Sequence, residues 1–286
     1  MLKLDEAPPG VSAEAWASGS SSLPSVGDLW LLSWDGEALG LAIVSGVAPS
    51  FVLVWPVTLP GEPSFPAAIE IPATPLGQPL NVWPSRETGI GMHLLHRRFG
   101  QAISERMMAA TASALEGDGE MPLSFASPNV DEPEREAASD AMVDRWESIC
   151  LHIWPEPRAG VEPFDSNALR ALGLQVGDLR AALGLNVPDA VSLFSGEIAP
   201  TETQVQELVE QTGMGVSELL ITHLDEASRE LLSPEIKDDV LAIASLRDVS
   251  EEAARALLRS EYALAARSDG SPRARLEAAI HRLLKA

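Results

Sequence analysis

His93 and His96 stand beside Arg97 and Arg98, with Arg86 a short way upstream, as the one basic cluster in the first half of this 286-residue chain. Two histidines can act as general acid and base, and arginines can neutralise charge developing on a phosphate, so the group suits phosphodiester cleavage. The competing reading, and the favoured one, is a helix-leading turn whose arginines satisfy nearby carboxylates. Metal chemistry finds no support. The five histidines are scattered apart from His93 and His96, and the single cysteine excludes a thiol-rich site or an internal disulfide. Cys150, among Trp146, Ile149 and Ile153, reads as a small buried hydrophobe. No P-loop pattern of glycines and lysine occurs, and no cofactor is expected.

The charge limits the partners. Net charge is −22, spread unevenly: residues 1–160 carry 8 Lys+Arg against 21 Asp+Glu, residues 161–225 carry 2 against 10, and residues 226–286 carry 10 against 11. Such a field repels phosphate and attracts basic proteins, although acidity also serves solubility alone. Hydrophobic content of 45% suffices for globular cores, and the length suits two or three domains. Without a long apolar run or a basic-then-apolar N-terminus, the expectation is a cytoplasmic protein with no membrane association.

The elements that must position these residues follow from pattern. Residues 1–24 are Ser-rich and expected to be loosely ordered. Residues 25–117 contain the short β-type runs "LWLLSW", "LGLAIVSGV", "FVLVWPVT" and "AAIEIP". Asp35-Gly36 sits between the first two as a two-residue hairpin turn. Closely spaced strands with Pro/Gly punctuation predict a small antiparallel barrel, closed by an amphipathic helix from Ile103 to Gly117. An acidic linker is expected over 118–140, and a connecting helix over 141–160 with Met142, Trp146, Ile149 and Ile153 on one face. "PEPRAGVEP" marks a boundary near 155–163. Residues 161–225 and 226–286 both read as helix, with Ser-Pro or serine starts in the last segment.

The order from Val26 to Gly117 resembles the MazF/PemK-like endoribonuclease toxins. The matching residues are Gly27-Asp28-Leu29-Trp30, the strand "LAIVS", Pro56-x-Thr58 at the end of "VLVWPVT", "IEIP" from Ile69 to Pro72, and the Leu/Arg-rich approach to a Met- and Glu-containing helix. The resemblance implies an SH3-like barrel with a C-terminal helix, and a catalytic pair of arginine and threonine. Thr58 matches the threonine. The arginine position falls at Ala38-Leu39-Gly40-Leu41 and is empty, and residues 1–85 hold no arginine. Losing a sole phosphate-stabilising cation typically costs a factor of about 10² or more. Thr58 is therefore read as vestigial, a strand-end residue, with Arg86, His93, His96 and Arg97 as weaker alternatives for a rebuilt site.

From Ala168 to Leu220 the chain resembles the Cro/Xre repressor family over the full motif. Gly173-Leu174 ends a first helix and Leu179, Leu183, Gly184 and Leu185 mark the second and its turn. Asn186 caps a third, which Gly196 ends, Pro200-Thr201 opens a fourth, and "GVSELL" a fifth. The resemblance implies a DNA-reading third helix with Ala190 and Leu193 inward. Reading needs polar or basic side chains there, yet residues 183–196 hold no Lys, Arg or His, and Asp189 opposes phosphate. Arg180 also stands where the family favours a small residue. Val187, Asp189, Val191 and Phe194 are thus expected to form a partner-binding patch, for another protein, for self-association, or for the C-terminal helices. If DNA is bound instead, Arg180, Arg255, Arg259, Arg273 and Arg275 are the candidate contacts.

The expected fold class is α+β and multi-domain: the small barrel with its helix, then an all-α Cro/Xre-like domain with extra C-terminal helices. The preferred function is a non-catalytic regulatory protein related to toxin–antitoxin components, contacting a basic protein partner or itself. A DNA-binding transcriptional regulator and an endoribonuclease with a rebuilt site are the alternatives.

Overall fold

The structure is a computed structural model that describes residues 2–65, 67–155, 162–220, 226–265 and 271–285. The boundary expected near 155–163 falls largely outside these residues. The chain is α+β and divides into two compact units, Met1–Trp154 with Glu226–Ala286, and Pro155–Asp225.

In the first unit the order is α1 (Ala13–Ala17), β1 (Asp28–Trp34), β2 (Glu37–Val47), β3 (Phe51–Thr58), β4 (Ile69–Ile71), β5 (Leu80–Val82), β6 (Thr88–Gly91), β7 (Leu95–Gln101), α2 (Glu105–Leu115) and α3 (Glu132–Cys150). Every strand pairing is antiparallel, in the order β4-β5-β3-β2-β1-β7 with β6 also on β3, and the sheet curls into an open half-barrel. Register shifts at Leu32/Ser33 and Val44/Gly46 mark bulges, which add local bend and twist. The β1–β2 hairpin turns through Asp35 (φ 50°) and Gly36 (φ 78°), the positive-φ pair the sequence leads one to expect.

Residues 28–33 of β1 are buried without alternation. A strand covered on both faces reads this way. Leu29 and Leu31 enter a core with Leu41, Ile43, Trp55 and Trp16, while Trp30 and Leu32 are also fully buried. The C-terminal helices belong to this same unit: α9 (Glu226–Leu232), α10 (Lys237–Arg247), α11 (Glu251–Ala265) and α12 (Pro272–Lys285). They meet the β7 side of the sheet. This corrects the expectation that they extend the helical domain.

Three further expectations change. The Ser-rich opening is anchored, because Trp16 is buried and its indole N–H donates to the Leu4 carbonyl. The Leu/Arg-rich "turn" before α2 is strand β7, held along β1 from Asp28 to Leu32. Helix α3 starts at Glu132 and absorbs the end of the expected linker. It stops at Cys150, so Ile153 lies beyond it.

The second unit contains α4 (Ser166–Ala171), α5 (Val176–Ala182), α6 (Val187–Ser195), α7 (Glu202–Thr212) and α8 (Val216–Leu219) around Phe164, Leu169, Leu179, Leu193 and Leu208. Its punctuation is local chemistry. Asn186 accepts the Asp189 amide, Gly196 adopts φ 78° to end α6, and Thr201 with Gln204 forms a capping box on α7.

Candidate functional site

The basic cluster does not converge. Arg98 forms a bidentate pair with buried Asp28 at 2.7 and 2.8 Å, joining β7 to the start of β1. Arg97 donates to the Leu4 and Trp16 carbonyls and so ties the N-terminal segment to β7. Arg86 donates to Ser139 Oγ of α3 at 2.7 Å. His96 is buried, with Nε2 at 3.2 Å from Asp238, whose carboxyl this hydrogen bond holds below the usual range. His93 is buried, its ring centroid 5.1 Å from that of Trp34 and 6.5 Å from that of Trp154. Burial first, then the charges of Arg255 and Lys237, holds it well below its ordinary value and therefore neutral. A ring sealed from solvent in this way is not placed to exchange protons with a substrate.

Thr58 is likewise engaged, its hydroxyl accepting the Trp83 indole N–H at 3.1 Å, with both side chains buried. The stretch left without an arginine is covered by α3. Arg145 donates to the Leu39 carbonyl at 2.8 and 3.2 Å and lies 3.6 Å from Glu62. Arg145, Ile149 and Trp146 all come within 4 Å of where a Cβ on Gly40 would stand. A methyl there would be in ordinary van der Waals contact with all three, so a side chain as long as arginine would need those side chains of α3 to shift.

His93 borders a buried network that the sequence did not disclose. Lys237, Glu251 and Arg255 are each 0% exposed. Lys237 Nζ donates to both Glu251 oxygens at 2.7 and 2.8 Å, and to the Ser33 and His93 carbonyls at 2.9 and 3.1 Å. Arg255 donates to Glu251 Oε1 through Nε and Nη2 and to the Leu231 carbonyl. Asp35 and Glu251 exchange main-chain N–H to carboxylate bonds at 2.7 and 3.0 Å, so the hairpin turn caps α11. Trp34 and Trp154 lie against the two cations, at 5.5 Å from Lys237 and 5.4 Å from Arg255. Burial pushes Lys237 down to about 7, against the pull of Glu251. The Glu251–Arg255 spacing of four is a helix ion pair readable from sequence. Its burial is not.

On α6, Val187 is 56% and Val191 45% exposed. Asp189 is exposed and accepts the Asn186 amide N–H at 2.7 Å, which holds the cap residue in place. Phe194 departs from the expected patch: it is buried in its own unit's core, with the Arg170 guanidinium 5.4 Å from its ring. The inward side of the helix requires this, since Ala190, Leu193 and Phe194 share the buried stripe.

Of the candidate DNA contacts, Arg255 is buried and ion-paired, which removes it. Arg273 pairs with Glu235 and Glu277, Arg275 lies over Tyr262, Arg259 is half-buried, and Arg180 is exposed. Among the described residues, no three His, Cys, Asp or Glu side chains cluster as metal ligands, and no helix is long and apolar enough to cross a membrane. No protein-family model, no curated protein and no solved structure matches the chain.

Proposed function

We propose that this is a non-catalytic interaction protein that engages a basic protein partner through α6, built from a MazF/PemK-like sheet and a Cro/Xre-like helical unit. One observation carries the reading: Val187 and Val191 stand exposed beside Asp189 on a helix whose stretch 183–196 contains no cation. Valines cannot make the bidentate base contacts of a reading helix, and the 2-against-10 charge balance of residues 161–225 opposes the counterion release that drives DNA affinity. The cap series at Asn186, Gly196 and Thr201 supports the Cro/Xre comparison, and the antiparallel strand order from β1 to β3 supports the toxin comparison. Against catalysis, the strand position lacking its arginine lies beneath α3, and Thr58 is spent on Trp83.

The test is a pull-down from native lysate with the full chain and with Val187→Asp/Val191→Asp. A stoichiometric basic protein, retained by the wild type and lost by the double variant, is the expected outcome. Recovery of the chain alone as a non-interacting monomer overturns the reading. A salt-sensitive gel shift replaces it with the DNA-binding regulator, and RNA cleavage lost in Thr58→Ala replaces it with the nuclease.

A further inference from the structure

A groove of about 570 Å³ runs between α3 on one side and the Pro84–Arg86 turn with β6 on the other. Its floor follows α3 for two turns through Met142, Val143, Trp146 and Cys150, and ends at Leu151, which is 78% exposed. The apolar surface continues onto the sheet. Cys150 Sγ donates to the Gly89 carbonyl at 3.5 Å, and a Cβ on Gly89 would lie 3.7 and 3.9 Å from the exposed side chains of Phe51 and Leu53. Exposed apolar side chains gathered beside a groove and rimmed by polar residues are a feature of interaction sites.

Charge selects the occupant. Along α3, Glu132, Glu134, Glu136, Asp140, Asp144 and Glu147 are all exposed, and Glu87 lies on the opposite rim. Three arginines stand against these seven carboxylates: Arg135 lies 3.7 Å from Glu132, Arg145 3.6 Å from Glu62, and Arg86, which lines the groove, donates to the neutral Ser139 hydroxyl and keeps its charge, so the surroundings stay net acidic. A second copy of a chain with net charge −22 would bring the same sign to the same rim, which costs free energy, whereas a basic element gains it. The two-turn length of the floor along one helix suits an element lying alongside α3 and presenting one apolar stripe.

We propose that this groove receives a basic amphipathic helix of a partner protein. The proposal rests on the reading of the chain as an interaction protein and assigns it a docking site distinct from α6.

The test uses the full chain and three synthetic peptides of about 18 residues, five helical turns: an amphipathic Leu/Lys helix, a Leu/Glu helix of identical spacing, and a Ser/Lys peptide of equal charge. The Leu/Lys peptide should saturate the chain and slow alkylation of Cys150, the sole cysteine, by about tenfold or more, with the other two at least about tenfold weaker binders. Leu151→Asp and Glu147→Arg, both at exposed positions, should each weaken the Leu/Lys complex about tenfold, and Val187→Asp/Val191→Asp should leave it unchanged. Equal binding of the Leu/Glu peptide, binding indifferent to both groove variants, or unprotected Cys150 overturns the proposal. So does a dimer of the free chain that Leu151→Asp dissolves. If these results fail while a partner still binds through Val187 and Val191, the groove assignment falls and the α6 reading stands.

Discussion

Glu251 accepts hydrogen bonds from Lys237 and Arg255, and all three side chains are sealed from solvent. Removing the carboxylate leaves two buried cations facing each other, whereas removing Lys237 leaves an intact Glu251–Arg255 pair. Breaking a buried pair by deleting one partner costs roughly 3–5 kcal/mol, and losing a buried donor from carbonyl acceptors about 1–3 kcal/mol. Glu251→Ala should therefore destabilise the chain more than Lys237→Met, an order that urea titration will check. The same group sets a pH dependence. Lys237 is held at about 7, below its ordinary 10.5, because burial disfavours the charged form. The folded state then binds fewer protons than the unfolded state between those values, so stability rises with pH from about 7 toward 10.5. His93, held well below 6.5, acts in the same direction on the acid side, and stability falls as pH drops below 6.5. Lys237→Met should flatten the alkaline slope and only reduce the acid one, because burial and Arg255 still hold His93 down. A slope identical to wild type in that variant would contradict the assignment.

At the scale of elements, caps and turns carry the local fold. Asn186 Oδ1 accepts the Asp189 amide at 2.9 Å, and its own amide is held by the Asp189 carboxylate. Asn186→Ala should cost about 1 kcal/mol, read as a lowered melting transition, because one of the free N–H groups opening α6 loses its acceptor. Features of this kind were legible in the sequence: Asp35-Gly36, Asn186, Gly196 and Thr201 each act on residues a few positions away. Strand β7 was not, because its period-two pattern is masked by His96, Arg97 and Arg98, whose partners Asp238, Leu4, Trp16 and Asp28 lie far along the chain. Phe194 was misassigned for a related reason, since a large side chain about two turns past its cap can face inward or outward depending on what Leu193 and Ala190 already fill. The buried network was the least legible. A lysine after Ser-Pro-Glu-Ile reads as a solvated first-turn residue until the Ser33 carbonyl, 204 positions upstream, is known to face it.

The whole molecule interrupts one compact unit with another: Pro155–Asp225 is inserted between Trp154 and Glu226 of the sheet-bearing unit. Two anchors near the ends of the insertion converge on one side chain, because Arg255 lies 5.4 Å from the Trp154 ring and donates to the Leu231 carbonyl on α9. The sheet-bearing unit in turn depends on the helices C-terminal to the insertion, since Lys237 and Glu251 bind the Ser33 carbonyl and the Asp35 amide at the β1–β2 turn. Two deletions should therefore behave oppositely. Replacing residues 156–225 with a Gly/Ser linker of about 10 residues, with a root-mean-square span of roughly 16–19 Å, should preserve cooperative unfolding and the pH slope set by Lys237. Ending the chain at Trp154 should strip the Ser33 and His93 carbonyls and the Asp35 amide of their Lys237 and Glu251 partners, leave the β7 side of the sheet uncovered, and yield an aggregating product. Calorimetry of the linker variant and sedimentation of the truncated chain separate these outcomes. An uncooperative linker variant, or a soluble folded truncation, would mean that the inserted helices support the sheet or that the C-terminal helices do not.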